Sequence, residues 1–320
     1  ALYASGVNIL VTYPDTRQTI EALRALDFVA VAGHQMTPTA EWADIVLPKT
    51  TALEEEEVSF VPSGPTVVFT RAVVPPQGEA RTEIGIVAPL LDRLEARQAV
   101  TARLMPWRSQ RELNTHLLGD SGITIEMLEA KGFHQVSAEP VPISRPFPTG
   151  TGLIELYSPQ LEELGLDPLP GYVPPEREGK AAEVRARYPL VVVTGDREKS
   201  YHHSRFRDQP WALKVSPDPL LLMHPDTARA QGLDDGDWVR LEVAEVAGHC
   251  RLKPKLSDAQ QADVVSTGMG WWRPMEATPE HGVLDVNINA ALSYNGPYDP
   301  VSGSADIRGQ LCRVERIGLD

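Results

Sequence analysis

The spacing of apolar residues predicts an α/β arrangement in the first part of the chain. NILVTY is apolar and β-branched, RQTIEALRAL carries Ile20, Leu23 and Leu26 on one face, and DFVAVAG is a continuous apolar run. Residues 8–33 are therefore interpreted as strand, helix and strand. WADIVLP predicts a third short strand, and TEIGIVAPLLDRLEAR predicts an amphipathic helix. Because buried strands that alternate with helices are typical of a parallel sheet, we expect residues 1–105 to form a partial α/β domain.

From Tyr188 onward the apolar residues fall into short strands with turn residues between them. The predicted strands are PLVVVTG, LLLMH, DWVRLEVAEV, HCRLKPKL, ADVVSTGMG and CRVERI. This spacing favours a compact barrel of roughly six or seven strands over residues 183–320. One helix, HPDTARAQGL, is expected to begin at an Asp226 or Thr227 cap and to end at Gly232.

Residues 106–182 are predicted to form a connector between these two parts. They contain a helical piece, GITIEMLEAKG, and a stretch rich in Pro, Gly and charge, DPLPGYVPPEREGK, which is typical of an interdomain crossing. The chain opens without Met on ALYASGVNILVTYPD, which we interpret as a strand already under way. We therefore expect a fragment, or one piece of a larger polypeptide, so the absence of a targeting signal carries little information.

Composition and charge narrow the class of protein. With 320 residues, 42% of them apolar and 23% charged, the chain is typical of globular proteins. Its net charge of -14 argues against general nucleic-acid binding, which favours a basic surface. No apolar run is long enough to predict a membrane span. Cys250 and Cys312 lack CxxC spacing, which argues against a disulfide framework, a zinc site or an iron–sulfur cluster within the chain.

The stretch TGDREKSYHHSRFRDQPW contains two adjacent histidines in a basic loop after a predicted strand. Adjacent histidines on a loop rarely point at one metal ion, and no HxH or HExxH spacing accompanies them. An exposed pair on a surface loop is one alternative. We favour contact with an anion, because phosphate recognition needs backbone N–H groups, hydroxyls and cations gathered in one place. The loop supplies them from Thr194, Gly195, Arg197, Lys199, Ser200, Ser204, Arg205 and Arg207.

Two further segments are candidates for holding a flat heterocycle. STGMGWWRP places glycines beside Trp271 and Trp272, which are either core aromatics or the cover of a ligand that approaches the glycine backbone. DVNINAALSYNGPYDPVSGSADIRG is dense in Asn, Ser and Gly, which cap and turn, although amides also suit a pterin or purine edge. The acidic run at 54–57 favours a solvated helix face or turn. The residues alone thus predict a two-part protein that holds a phosphate-bearing heterocycle.

Several segments also agree, in order, with a known family. They are the run from ALYASGVNILVTYPD to WADIVLPKTTALEEEEV, then VVPPQGEARTEIGI, FPTGTGLIELYSPQLEELGLDPLPGYVPP, YPLVVVTGDREKSYHHS, HPDTARAQGLDDGDWVRLEV, STGMGWW and NAALSYNGPYDPVSG. Together they resemble the C-terminal portion of the molybdopterin oxidoreductases of the dimethyl-sulfoxide-reductase family. The resemblance implies that the barrel is a double-psi β-barrel of the molybdopterin-dinucleotide-binding type.

The resemblance also implies a cofactor and a reaction type. The cofactor would be bis-molybdopterin guanine dinucleotide with Mo or W, and it would carry two-electron oxidation or reduction of a substrate while the protein supplies orientation and electrostatics. A cofactor-free structural subunit of a respiratory complex, related to the same family, is the alternative.

The resemblance assigns cofactor contacts but neither a catalytic residue nor a metal ligand. It implies that the adjacent histidines of the loop are donors to an anionic cofactor rather than metal ligands. The implied contacts are Thr194, Gly195, Arg197, Ser200, His202 and Ser204 in the loop, Gly270, Trp271, Trp272, Asn287 and Asn289 on the pterin side, and Gly6, Asn8, Thr37 and Thr39 near the guanine end of the other dinucleotide.

The family's cysteine cluster for a 4Fe-4S centre and its metal-ligand segment have no counterpart in this sequence. Both are expected in a missing N-terminal part, so the chain alone is predicted to be inactive. The expected partner is that N-terminal portion or a companion subunit, with an iron–sulfur electron-transfer subunit as a further candidate. Nucleic acid is not an expected partner. Cytoplasmic localisation is the default, and a periplasmic one follows if the missing part carries a twin-arginine signal.

Overall fold

The computed structural model describes residues 1–61, 65–100, 105–136, 146–169, 171–172, 181–196, 198–296 and 298–318. Two sequence predictions fall outside these residues, namely the contact assigned to Arg197 and most of the interdomain crossing DPLPGYVPPEREGK. Within the described part of the chain, no helix combines the length and the apolar character that a bilayer crossing requires.

The chain begins with a three-stranded parallel sheet in the order β1–β2–β3. Its elements are β1 (Leu2–Ser5), α1 (Ile9–Thr12), α2 (Thr16–Arg24), β2 (Val29–Gly33), α3 (Pro38–Glu41) and β3 (Ile45–Pro48). Helix α2 begins after Asp15, whose side chain accepts from the Gln18 amide, and it buries Ile20 and Leu23 in the core of the sheet. The predicted parallel sheet with helices is confirmed, although Leu26 lies beyond α2 and is exposed.

The prediction of a strand at NILVTY is wrong, because these residues form the single turn α1. The preceding strand ends at Ser5, Gly6 turns the chain with a φ of +63°, and the Thr12 amide donates to the Asn8 carbonyl at 2.9 Å. Leu10 and Val11 are both fully buried, one against the parallel sheet and the other against the barrel part. An apolar run that is buried on several sides has no period that separates helix from strand.

An antiparallel sheet in the order β4–β5–β6 follows, and the sequence pattern did not predict it. The elements of this region are β4 (Glu57–Val61), β5 (Thr66–Thr70), α4 (Glu83–Ala96), α5 (Gln110–Leu118), α6 (Ile125–Lys131) and β6 (Phe133–Gln135). Val58, Val67 and Phe69 of the sheet form one apolar cluster with Leu118 and Leu128 of the helices. The predicted helices at 82–97 and in GITIEMLEAKG are confirmed as α4 and α6.

The acidic run at 54–57 is a turn that leads into β4, but the expectation of a solvated run is wrong for Glu54. This residue is 8% exposed. It accepts from the amide and the hydroxyl of Thr51 at 2.7 and 2.8 Å, and from the Gln77 amide at 2.7 Å. Glu54 therefore closes a loop between two distant segments.

The last part of the chain is a closed barrel of six strands in the order β10–β8–β11–β7–β12–β9, as the strand spacing predicts. The elements are α7 (Pro159–Glu163), α8 (Ala181–Arg187), β7 (Leu190–Asp196), α9 (Pro210–Val215), β8 (Leu220–Met223), α10 (Pro225–Ala230), β9 (Val239–Val243), β10 (His249–Leu256), β11 (Val264–Gly268), α11 (Val283–Val286), a 3-10 turn (Ile288–Ala291) and β12 (Gln310–Arg316). Val192, Leu221, Leu241, Leu252 and Val265 lie fully buried in its core. The double-psi topology and the domain boundaries stay predictions.

The cap of helix α10 lies two or three residues earlier than predicted. Its cap is His224, whose Nδ1 accepts from the Asp226 amide at 3.1 Å, rather than Asp226 or Thr227. Pro225 occupies the first helical position, where its missing N–H is not needed. Gly232 follows the helix with a φ of +65°, which agrees with the predicted end.

The α/β part contacts the barrel part through α1 and the residues around α11. The side-chain amides of Asn287 and Asn289 both donate to the Val11 carbonyl oxygen at 2.8 Å. Val11 also packs with Trp272 and Val283 in a small buried apolar cluster. These contacts place the carboxyl end of the parallel sheet beside the barrel.

Candidate functional site

A cleft of about 200 Å³ opens where β7 and β11 end. These strands are parallel neighbours, with Val264 opposite Val191, so the segments that follow them meet at one end of the barrel. The lining residues are Gly195, Asp196, Glu198, Tyr201, His202, His203, Arg207, Gly268, Met269 and Arg308. The stretch that the sequence singled out therefore supplies most of these lining residues.

The loop after β7 (residues 198–209, the cleft loop) and the turn after β11 (residues 270–272, the glycine–tryptophan turn) touch through their backbones. Gly270 has a φ of +88°, and a Cβ atom on it would lie 2.5 Å from the His203 carbonyl carbon and 2.8 Å from the Ser204 amide nitrogen. Glycine is required here both by the left-handed conformation and by the close approach. On the other side of the loop, the Trp272 indole donates to the Ser204 carbonyl at 2.9 Å.

The buried side chain of Arg207 contacts both the cleft loop and the glycine–tryptophan turn. Its guanidinium carbon lies 3.7 Å from the centre of the Tyr201 ring and 3.8 Å from the centre of a Trp271 ring. Its Nε donates to the Gly270 carbonyl at 3.2 Å, and its Nη1 lies 3.9 Å from a carboxylate oxygen of Glu198. Burial lowers the pKa of Arg207 to about 10. Through these contacts the guanidinium holds the cleft loop against the glycine–tryptophan turn.

The two histidines are both exposed and lie with their rings edge to face, 4.8 Å apart between centres. His203 has a φ of +54°, so the chain reverses at this point and the two side chains stay together. The Arg205 amide donates to the His202 carbonyl at 2.9 Å and closes the turn. In the described part of the chain, no group of three or more His, Cys, Asp or Glu side chains is arranged to hold a metal ion.

The tryptophans and asparagines on the predicted pterin side are internal residues. Trp271 and Trp272 are 1% and 2% exposed, and the Trp271 indole donates to Glu198 at 2.8 Å. Asn287 and Asn289 are equally buried, and their amides bind the α/β part rather than the cleft. The structure thus favours the core alternative for the tryptophans and brings neither asparagine into the cleft lining.

The four residues assigned to the other dinucleotide follow β1 and β2, which are parallel neighbours, and two of the four, Asn8 and Thr39, are in contact. The Thr39 hydroxyl donates to Asn8 Oδ1 at 2.7 Å and accepts from the Leu10 amide at 3.1 Å. Thr37 caps α3, and Gly6 is exposed at the end of β1. Asn8 Nδ2 is buried and has no hydrogen-bond partner among the described residues. The carboxyl edge of a parallel sheet is where such folds commonly bind ligands.

Sequence reasoning missed three charged residues of the cleft, Asp196, Glu198 and Arg308. Arg308 reaches it because β12 pairs with β7, so the residues before Gln310 lie beside Gly195. The only sequence signal for Arg308 is its position just before the last strand, at the end of the Asn-, Ser- and Gly-rich segment. Pairing across more than a hundred residues cannot be read from that signal.

Two family models match the chain. The model described as "Molydopterin dinucleotide binding domain" matches residues 190–310, and the model described as "Molybdopterin oxidoreductase" matches residues 1–93. Together they cover more than half of the sequence. The chain therefore belongs to the molybdopterin oxidoreductases of the dimethyl-sulfoxide-reductase family, and the resemblance noted from its sequence is confirmed.

Individual relatives agree with this assignment. Acetylene hydratase of Syntrophotalea acetylenica is 32% identical over 97% of this chain and 43% of its own length. Dimethyl sulfoxide/trimethylamine N-oxide reductase of Rhodobacter capsulatus is 29% identical over 90% of this chain and 38% of its own length. The solved structure of acetylene hydratase from Pelobacter acetylenicus superposes with a TM-score of 0.85 at 29% identity, over 98% of this chain and 44% of that one. The chain thus spans less than half the length of these relatives.

Proposed function

We propose that this chain is the cofactor-binding C-terminal part of a molybdenum or tungsten enzyme that carries bis-molybdopterin guanine dinucleotide. On this proposal it holds the two dinucleotides for two-electron oxidation or reduction of a substrate. The observation that carries the proposal is the cleft after β7 and β11, because it lies within the residues that match the dinucleotide-binding family model.

The polar groups of the cleft suit the chemistry of a molybdopterin dinucleotide. Its phosphates accept hydrogen bonds, and Arg308 and His202 of the lining offer donors. Its pterin carries N–H donors, for which the carboxylates of Asp196 and Glu198 are acceptors. A Cβ atom on Gly195 would lie 3.6 Å from the Arg308 guanidinium, so the bare backbone of this glycine leaves room beside the cation. The residues present therefore fit the group.

The size of the cleft supports a shared site. Its volume of about 200 Å³ is smaller than the roughly 300–1,000 Å³ of pockets that enclose a whole small molecule. We therefore assign one end of a dinucleotide to it. Gly6, Asn8, Thr37 and Thr39 are proposed to meet the guanine end of the other dinucleotide, and the buried, unpartnered amide nitrogen of Asn8 supports this assignment.

When bound, the cofactor supplies the redox chemistry at its metal, and the residues of this chain bind and orient it. The greater length of the relatives supports a further proposal, that another polypeptide segment or a companion subunit provides the remaining walls of the site. An iron–sulfur cluster and an electron-transfer subunit remain proposals of the same kind.

The test is the cofactor content of the complete enzyme when His202 and Ser204 are both replaced by Ala. Each charge-assisted hydrogen bond is worth roughly 1.5–3 kcal/mol, so losing both proposed contacts should lower occupancy by roughly a hundredfold or more. Molybdenum, tungsten and guanine nucleotide are measured per mole of purified protein, beside the melting temperature. The control is the His249→Ala, Ser257→Ala variant, which alters the same residue types in and directly after β10, outside the loop after β7.

Two results would contradict the proposal. Unchanged cofactor occupancy in the His202, Ser204 variant would indicate that the two histidines are only an exposed pair on a surface loop. A complete wild-type protein without guanine dinucleotide would favour the alternative, a cofactor-free structural subunit of the same family.

A further inference from the structure

A histidine–carboxylate contact joins the α/β part and the barrel part. His281 Nε2 lies 3.4 Å from a carboxylate oxygen of Glu41 at the end of α3. The imidazole is 8% exposed in its side chain and the carboxylate 24%. Because both groups are largely withdrawn from water, their attraction is screened less than that of a surface pair.

The second ring nitrogen of His281 also faces an acceptor. Nδ1 lies 3.1 Å from the Glu276 carbonyl oxygen, which can only accept, so a hydrogen bond at this position needs a proton on Nδ1. Nε2 faces the Glu41 carboxylate, which is also an acceptor when ionised. An imidazole between two acceptors donates to both only as the imidazolium ion. The Glu276 carboxylate is paired with Arg273 at 3.3 Å, so these two neighbours largely cancel each other's charge.

His281 also lies in a chain of contacts that connects the two groups of assigned cofactor residues. Its ring meets Trp272 edge to face with 5.7 Å between centres, and the Trp272 indole donates to the Ser204 carbonyl in the cleft loop. On the other side, Glu41 ends the short helix that carries Thr39, whose hydroxyl is bonded to Asn8. A shift of α3 away from the barrel therefore changes the spacing between the loop and the edge of the parallel sheet.

We propose that His281 is a positioning residue, which as an imidazolium ion paired with Glu41 holds α3 against the Trp272 turn and so sets the spacing of the two dinucleotide contact groups. The part of this inference that concerns the cofactor rests on the proposed function. The ion pair itself does not, and it can be tested in this chain alone.

The first experiment measures hydrogen exchange of the backbone amides of residues 37 and 39–43 in the 320-residue chain. Rates are corrected for intrinsic exchange and compared at about pH 5.5 and about pH 8.5, on either side of the range in which imidazole titrates. In the wild type, exchange is expected to be about tenfold slower at the lower pH, the ratio that one charge-assisted hydrogen bond provides. Glu41→Gln and His281→Gln should each remove this difference, and the double variant should exchange like either single one. His249→Gln, altered within the barrel, should retain it.

A second experiment measures release of guanine dinucleotide from the complete enzyme at the lower pH. Glu41→Gln is expected to release it about tenfold faster than the wild type, in proportion to the loosened contact. Exchange at 37–43 that does not depend on pH, or that is unaffected by Glu41→Gln, overturns the ion pair. Release as slow as in the wild type overturns the positioning role. A wild-type enzyme without the dinucleotide refutes the proposed function instead, and the exchange result still decides the ion pair.

Discussion

Replacing Gly270 by Ala should displace the cleft loop, because the added Cβ atom has no room. It would lie 2.5 Å from the carbonyl carbon and 2.7 Å from the carbonyl oxygen of His203, both of which are backbone atoms that cannot rotate away. The φ of +88° adds the cost of a left-handed alanine, roughly 1–2 kcal/mol. Forcing the two segments apart adds roughly 1–3 kcal/mol. The free energy of unfolding is therefore expected to fall by roughly 2–5 kcal/mol.

Gly236→Ala is the matched control for this variant. Gly236 has a similar φ of +82°, but nothing lies within 4 Å of the Cβ position, so only the left-handed conformation is penalised. Urea unfolding of both variants, followed by the fluorescence of the buried Trp271 and Trp272, gives the two free energies. Equal losses in the two variants would refute the close approach of the loop and the turn. A larger loss for Gly270→Ala, with faster trypsin cleavage of the loop, would support it.

Three other variants test contacts elsewhere in the fold. Asn287→Asp replaces a donor to the Val11 carbonyl by a buried carboxylate, so the free energy of unfolding should fall by roughly 2–4 kcal/mol in urea denaturation. Arg207→Lys keeps the charge but loses the planar stacking between two rings, and trypsin should cleave the loop about tenfold faster. The backbone hydrogen bond from Thr51, followed by further hydrogen bonds, holds the pKa of Glu54 below its ordinary 4.5. Ionised Glu54 therefore stabilises the fold at pH values above its ordinary pKa, and this stabilisation is lost as the pH falls through the lower pKa of the folded state. On acidification, the urea midpoint of Glu54→Gln should consequently drop less than that of the wild type.

Local sequence was sufficient for most of the barrel. Runs such as PLVVVTG are apolar and rich in β-branched residues, which favour extended backbone, and turn residues separate them, so each strand was recognisable without knowledge of its partners. The same holds for α4 and α6, whose apolar spacing and hydroxyl caps are local signals. The separate family blocks, in their order, added the cofactor class, which no single motif in this chain specifies.

Tertiary contacts decided the elements whose partners are distant in sequence. NILVTY became a helical turn because Asn8 is held by Thr39 and the turn is buried between the sheet and the barrel part. Strand β6 has three residues and exists only through its pairing with β5. Neither segment contains enough local information to select its backbone conformation.

The same distinction applies to the candidate site. The sequence identified the loop after β7 as a cluster of donors, and the structure places that loop at a cleft. It did not reveal that Arg308 enters the cleft beside Gly195, nor that Asn287 and Asn289 both donate to Val11. Composition determines which hydrogen-bonding groups a segment offers. Which of them face a ligand and which join two parts of the protein depends on strand pairing and burial over more than a hundred residues, where local propensity has no influence.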